Sequence, residues 1–249
     1  MRAPRPQPVF LRPDDPIGFP DPEPFDREGL VAIGGDLGPK RLLHAYRSGI
    51  FPWYAEGYVP MWWSPDPRAL MTPDSLRVSR SLQRVIARGG FELTWNRCFP
   101  RVMAECGKQR SEGTWIIPEM VAAYTKLHEL GHAHSLEVWE DSELVAGTYG
   151  VQVGSLFAAE SMFHRRSDRS KVALVAALRS LFAAGIDLFD VQFATNHLAS
   201  LGAFEVPRAE YLKRLGVACG RSVDLRRLRP TAGPPRRDGP AGRNPQSGA

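Results

Sequence analysis

Cysteine is scarce in this sequence. The three present, Cys98, Cys106 and Cys219, lie far apart and form no CxxC pair. That spacing argues against a disulfide framework and against a four-cysteine zinc site, and it fits a reducing cytoplasm. Long apolar runs are missing too, since none approaches the ~18 residues of a membrane span. The opening Met1-Arg2-Ala3-Pro4-Arg5-Pro6 is basic, but no apolar stretch follows it, so it does not read as a secretory signal. The chain carries no internal repeat. Between Pro230 and Ala249 large apolar side chains are nearly absent, and Pro, Gly and Arg dominate. Such a segment cannot bury enough surface to offset its ordering entropy, so residues 230–249 are expected to form a disordered tail.

What remains is ordinary for a folded protein. Hydrophobic residues make up 43% and charged residues 24% of 249, enough for a sizeable core. The net charge of +5 permits a polyanionic partner without requiring one. Arg77, Arg80, Arg84 and Arg88 recur at spacings of three and four. On a helix they would form one basic stripe, suited to phosphates or simply to solvent.

The first 62 residues are rich in Pro and Gly and read as a small N-terminal domain. Its one clear helix spans about Pro39–Ser48, with Pro39 at the first helical position and Gly49 as the stop. A tryptophan-rich hinge follows, Phe51-Pro52-Trp53-Tyr54 and then Met61-Trp62-Trp63. Residues 63–229 then form a larger domain. A helix is expected over about Pro118–Leu130, ended by Gly131. Three strands follow, Ser135–Glu140, Leu144–Val153 and Ser155–Phe163, with turns at Asp141-Ser142 and Gly154. A helix over about Asp168–Ala184, capped by Ser167 or Asp168, leads to an apolar central strand, Ile186–Phe193. Two shorter helices close the unit, near Asn196–Leu201 and Pro207–Leu215. A three-strand meander, a helix, a strand and a helix predict an α/β (α+β) fold. Its order resembles the N-acetyltransferase (GNAT-like) fold, with a mixed sheet and flanking helices.

Several residues in this frame can carry chemistry. Asp190 and Gln192 are two apart on the apolar strand and would share a face. Glu160 closes an otherwise apolar stretch, Leu156-Phe157-Ala158-Ala159. It either pairs with Arg165 or Arg166 or waits for a cationic ligand. Trp53, Trp62, Trp63, Trp115, Tyr46 and Tyr124 form an aromatic set able to stack on a base or to fill a core. His128-Glu129-Leu130-Gly131-His132 matches HExxH, in which two histidines one helical turn apart bind zinc. Here Gly131 is expected to end the helix between them, so no metal is expected and the histidines read as structural.

Together these stretches resemble the leucyl/phenylalanyl-tRNA–protein transferases. The matching strings are Gly29–Leu37 (GLVAIGGDL), Tyr46–Trp53 (YRSGIFPW), Trp62–Arg68 (WWSPDPR), Glu112–Ile116 (EGTWI), Leu127–Ser135 (LHELGHAHS), Glu160–Phe163 (ESMF) and Asp190–Gly202 (DVQFATNHLASLG). The resemblance implies transfer of Leu, Phe and less well Met from aminoacyl-tRNA to proteins with N-terminal Arg or Lys. It implies no cofactor, and it places the product in N-end rule degradation. It makes Asp190 and Gln192 the catalytic pair and Glu160 the acceptor-binding carboxylate. Tyr46, Trp53, Trp115, Tyr124, Thr148 and Phe157 would shape the aminoacyl-tRNA site, and Arg80 and Arg84 would meet tRNA phosphates. Thr148 departs from the larger apolar residue expected there, and Ala159 from glycine. The alternatives are an acyl-CoA-dependent N-acyltransferase, for which no glycine-rich pyrophosphate loop is present, and the zinc peptidase.

Overall fold

The computed structural model describes residues 6–108 and 114–230. The expected tail from residue 231 onward, and the Glu112-Gly113 part of one matching string, lie outside the described residues. In chain order the elements are β1 (Val9–Leu11), β2 (Leu30–Gly34), α1 (Pro39–Arg47), β3 (Phe51–Pro52), β4 (Met61–Trp63), β5 (Arg68–Met71), α2 (Arg80–Arg88), β6 (Glu92–Trp95) and α3 (Phe99–Lys108). Then come α4 (Pro118–Glu129), β7 (Ala133–Glu140), β8 (Glu143–Val153), β9 (Leu156–His164), α5 (Arg169–Ala183), β10 (Leu188–Gln192), α6 (Asn196–Ser200), β11 (Phe204–Val206) and α7 (Arg208–Cys219).

The N-terminal part is more than a helix. Its strands form a four-stranded sheet in the order β1-β2-β4-β3. The tryptophan-rich segment expected to be a hinge is therefore two paired strands, with Phe51 opposite Trp63 and Pro52 opposite Trp62. Trp62 is fully buried and donates from its indole nitrogen to the Gly34 carbonyl at 2.8 Å. The change from small to large sheet falls between Trp63 and Arg68 rather than after residue 62, because β4 belongs wholly to the first.

The large sheet has the order β11-β5-β10-β9-β8-β7-β6. The meander is as expected: β7, β8 and β9 pair antiparallel in sequence. Asp141 and Ser142 both take positive φ, 49° and 66°, the left-handed pair that a two-residue hairpin needs. After α5 the chain returns as β10, parallel to β9 and central between β9 and β5. Asp168 holds the N-cap position of α5, but its side chain caps nothing and instead takes Lys171 at 3.0 Å.

Side chains alternate across this sheet into two cores. Leu70, Leu156, Ala158 and Leu188 point to one, with α1, α3, α4 and α7. Met71, Phe157, Phe189 and Val191 point to the other, packed against α5. Gly49, which ends α1, has φ +75° and faces α7 closely: a Cβ there would lie 2.7 Å from a Leu212 methyl and 3.0 Å from the Tyr211 ring.

Candidate active site

A cavity of about 550 Å³ opens where β9 and β10 part. The two strands pair only from Leu188–Asp190 against Leu156–Ala158. Beyond that point both lose register with their antiparallel neighbours. The shift on β9 lies opposite Tyr149 and Gly150, and on β10 it lies between Asp190 and Gln192. The divergence exposes Glu160, Ser161 and Met162 on one side and Val191, Gln192 and Phe193 on the other. Phe51, Trp53 and Trp115 wall the aromatic part, and Thr148, Leu174 and Leu198 belong to its apolar lining.

Asp190 does not stand beside the Gln192 side chain as simple strand alternation predicts. Gln192 has φ +57°, and the Phe193 N–H donates to the Val191 carbonyl at 2.6 Å. This is a tight γ-turn centred on Gln192, a rare and strained conformation for a residue with a side chain. Asp190 is fully buried and never reaches the cavity wall. One oxygen accepts from Arg68 Nε at 2.9 Å and from the Gln192 main-chain N–H at 2.9 Å. The other accepts from Arg68 Nη2 at 2.7 Å and from the Tyr211 hydroxyl at 2.9 Å. Arg68 is clamped in turn between the Phe51 and Tyr211 rings, 4.8 and 4.6 Å from their centroids. Its third nitrogen donates to the Gly49 carbonyl at 3.2 Å. Burial alone lowers a guanidinium's pKa, but Asp190 more than offsets it and holds Arg68 above its ordinary range.

Glu160 has neither of the arginines that its sequence neighbourhood offers. Arg165 pairs with Glu105 at 2.7 Å, and Arg166 and Arg169 both pair with Glu140. Instead Glu160 Oε1 accepts from the Tyr46 hydroxyl at 2.8 Å and from Gln192 Nε2 at 3.4 Å. The Tyr46 and Tyr124 hydroxyls are 2.5 Å apart. Burial, then the nearby Glu160, pushes the Tyr46 phenol well above its usual range, so it remains a proton donor. Burial pushes the Glu160 carboxyl up to about 8; the Tyr46 hydrogen bond and Arg68 pull against that rise, and the Asp190 charge adds to it.

Of the residues expected in the donor site, Trp53, Trp115 and Thr148 line the cavity. Tyr46 and Tyr124 lie beneath it as the support of Glu160. Phe157 is a correction: it is 1% exposed, stacks on Phe189 at 5.6 Å and sits in the α5 core behind the wall. The basic stripe is partly formed. Arg80, Arg84 and Arg88 lie on α2, while Arg77 precedes the Ser79 cap. The helix carrying His128 ends at Glu129, and Gly131 has φ +81°. His128 instead bonds the Ala133 carbonyl at 2.8 Å and stacks on Phe99. Among the described residues no group of three His, Cys, Asp or Glu is arranged to hold a metal.

Sequence reasoning missed Arg68 and Tyr211. Arg68 carried a signal, since it opens the otherwise apolar run Ala69-Leu70-Met71 and ends a matching string. Tyr211 carried none.

A family model described as leucyl/phenylalanyl-tRNA protein transferase matches residues 70–216, and the model of its N-terminal domain matches residues 35–66. This chain belongs to the leucyl/phenylalanyl-tRNA–protein transferase family. A member of that name from Anaeromyxobacter sp. (strain Fw109-5) is 51% identical over 208 residues, 82% of this chain and 88% of the relative. Another from Citrobacter koseri is 50% identical over 202 residues, 80% and 86% of the two chains. Among solved structures, FemX aligns with a TM-score of 0.42 at 12% identity, covering 72% of this transferase-family chain and 71% of the other. A GCN5-related N-acetyltransferase from Kribbella flavida aligns at 0.37 and 11%, covering 71% and 63%. Among the described residues no helix is long and apolar enough to cross a membrane.

Proposed function

We propose that this chain moves Leu or Phe, and Met less well, from the 3′-terminal adenosine of charged tRNA to the α-amino group of proteins beginning with Arg or Lys. The reaction belongs in the cytoplasm, and its product enters N-end rule degradation. The observation that carries this reading is the cavity at the β9–β10 divergence. In a member of this transferase family, it puts the Gln192 amide and the Glu160 carboxyl on a wall that is mostly apolar and aromatic, with Thr148, Ser161, Thr195 and His197 as its other polar members.

The amine nitrogen attacks the ester carbonyl, the carbon–oxygen bond to the ribose breaks, and the ribose oxygen takes up a proton. No other reactant is needed, because the ester is already activated. A free α-amino group has a pKa near ~8, so it must shed a proton before attack. Gln192 Nε2 is held by Glu160, and the described residues bring no donor to its Oε1. That oxygen is the acceptor that orients the amine. An amide is too weak a base to keep the proton, which leaves through water or the ribose hydroxyl. Trp53 and Trp115 offer faces to the adenosine. Thr148, with Met162 and Leu174, meets the donor side chain. Such a wall rejects polar donors well and separates apolar neighbours poorly.

The decisive experiment is incubation with Leu-tRNA or Phe-tRNA and peptides starting with Arg, Lys or Ala. Transfer to the first two and not to the third is expected, and no transfer to any sinks the reading. Arg80 and Arg84 are exposed one turn apart on α2. Replacing both with alanine is expected to weaken tRNA binding and to lower the slope of log affinity against log salt by about 1–2. An unchanged slope makes them solvated surface only.

A further inference from the structure

We infer that Asp190 acts on the reaction solely by holding the strained main chain of Gln192, and that Arg68 and Tyr211 are positioning residues that hold Asp190 for this task. The inference rests on the aminoacyl-transfer reading and deepens it.

The geometry leaves Asp190 no direct route to a substrate. It is fully buried, it is absent from the cavity wall, and its carboxylate takes five hydrogen bonds within the protein. A carboxylate so occupied has no lone pair left in good geometry for an incoming amine. Among the described residues, its one bond toward the site runs to the Gln192 main-chain N–H. No described hydrogen bond joins it to the Gln192 amide side chain, whose nitrogen goes to Glu160 instead.

That single bond falls on a backbone in need of support. Gln192 sits in the left-handed region inside a γ-turn, where the register of β10 against β5 slips. Without a fixed acceptor for its N–H the segment would relax toward ordinary strand geometry. The Gln192 side chain would then swing away from Glu160 and from the amine. Asp190 can only be that acceptor if its own position is fixed. Arg68 grips both of its oxygens, and Tyr211 grips one. Residues from β5, β10 and α7 thus converge on one peptide group at the cavity.

The arrangement separates a role in shape from a role in charge. If shape is what matters, a neutral side chain with an oxygen in the same place should serve. The test is the double variant Arg68→Met/Asp190→Asn, which keeps an acceptor for the Gln192 N–H and leaves no buried charge unpaired. Single-turnover transfer from Phe-tRNA to an Arg-peptide is expected within about tenfold of wild type, against at least about a hundredfold loss for Asp190→Ala. Amide hydrogen exchange at Gln192 should stay slow in the double variant and become fast in Asp190→Ala. Tyr211→Phe, which removes one hydroxyl, should lower kcat several-fold with KM for both substrates unchanged. A folded double variant that loses as much activity as Asp190→Ala overturns the inference, because the charge itself is then required. If the double variant does not fold, Tyr211→Phe decides: unchanged kcat, or a rise in KM alone, overturns it. A wild-type protein that transfers nothing refutes the aminoacyl-transfer reading, while Gln192 exchange still reports on Asp190.

Discussion

Asp190→Ala is expected to cost this protein stability as well as activity. The Asp190 carboxylate is the counter-charge of an Arg68 guanidinium that is only 1% exposed, and removing it strands that cation in the core. Breaking one partner of a buried pair costs about 3–5 kcal/mol, a large share of the about 5–15 kcal/mol that holds a domain folded. The Tyr211 hydroxyl and the Gln192 N–H lose an acceptor at the same time. The urea midpoint should fall clearly, and transfer should fall at least about a hundredfold even at temperatures where the variant is folded. Adding Arg68→Met to Asp190→Ala should recover much of the midpoint and none of the activity, because it removes the stranded charge without restoring the Gln192 contact. A midpoint equal to wild type, or near-normal transfer, contradicts this account.

Glu160→Gln should act mainly on the acceptor. Glu160 lies on the cavity wall and lacks an arginine partner, so in the proposed reaction an incoming Arg or Lys side chain would be the cation that completes it. A hydrogen bond to a charged group is worth about 1.5–3 kcal/mol, which predicts about a 10- to 150-fold rise in KM for Arg-peptides. The planar guanidinium can bond a carboxylate at two points, so Lys-peptides should lose less. Affinity for charged tRNA should hardly change. Equal losses for both substrates would assign Glu160 to the fold instead.

The same residue sets a pH dependence. With its pKa raised to about 8, Glu160 in the empty site is largely protonated at neutral pH. A bound cation favours the ionised form, so acceptor binding releases a proton and strengthens as pH rises toward 8. For stability the sign is the opposite. The unfolded chain loses this proton near the ordinary 4.5, while the folded one keeps it to about 8. The folded state therefore holds more protons across that window, and its stability declines from pH 4.5 to 8. Glu160→Gln should remove that part of the slope in urea titrations run across these pH values.

Much of the scaffold was legible because its signals are local. Pro118 and Gly131 bracket α4, Asp141-Ser142 makes the β7–β8 hairpin, and a largely apolar stretch interrupted by Asp190 and Gln192 marks β10 as central. The matching strings also pointed to Glu160, Gln192, Trp53 and Trp115, which do meet at one cavity. The short strands around the tryptophans were not legible. Runs of two or three residues carry no periodicity, and their pairing partners lie elsewhere in the chain.

The sequence by itself determined the long helices, the β7–β9 meander and which polar residues interrupt apolar strands. Those facts follow from side-chain chemistry within a few residues. Only the tertiary structure decided what the polar residues do. Arg68 and Asp190 are separated by 122 positions, and Tyr46 and Glu160 by 114, and no local rule pairs them. The register slip that turns Gln192 away from strand alternation arises because β10 must match β5 and β9 at once while diverging from β9. Whether a buried carboxylate meets an arginine, as Asp190 does, or two tyrosines and an amide, as Glu160 does, depends on which strands become neighbours. That choice is made by packing the whole chain, and it sets the chemistry of the site.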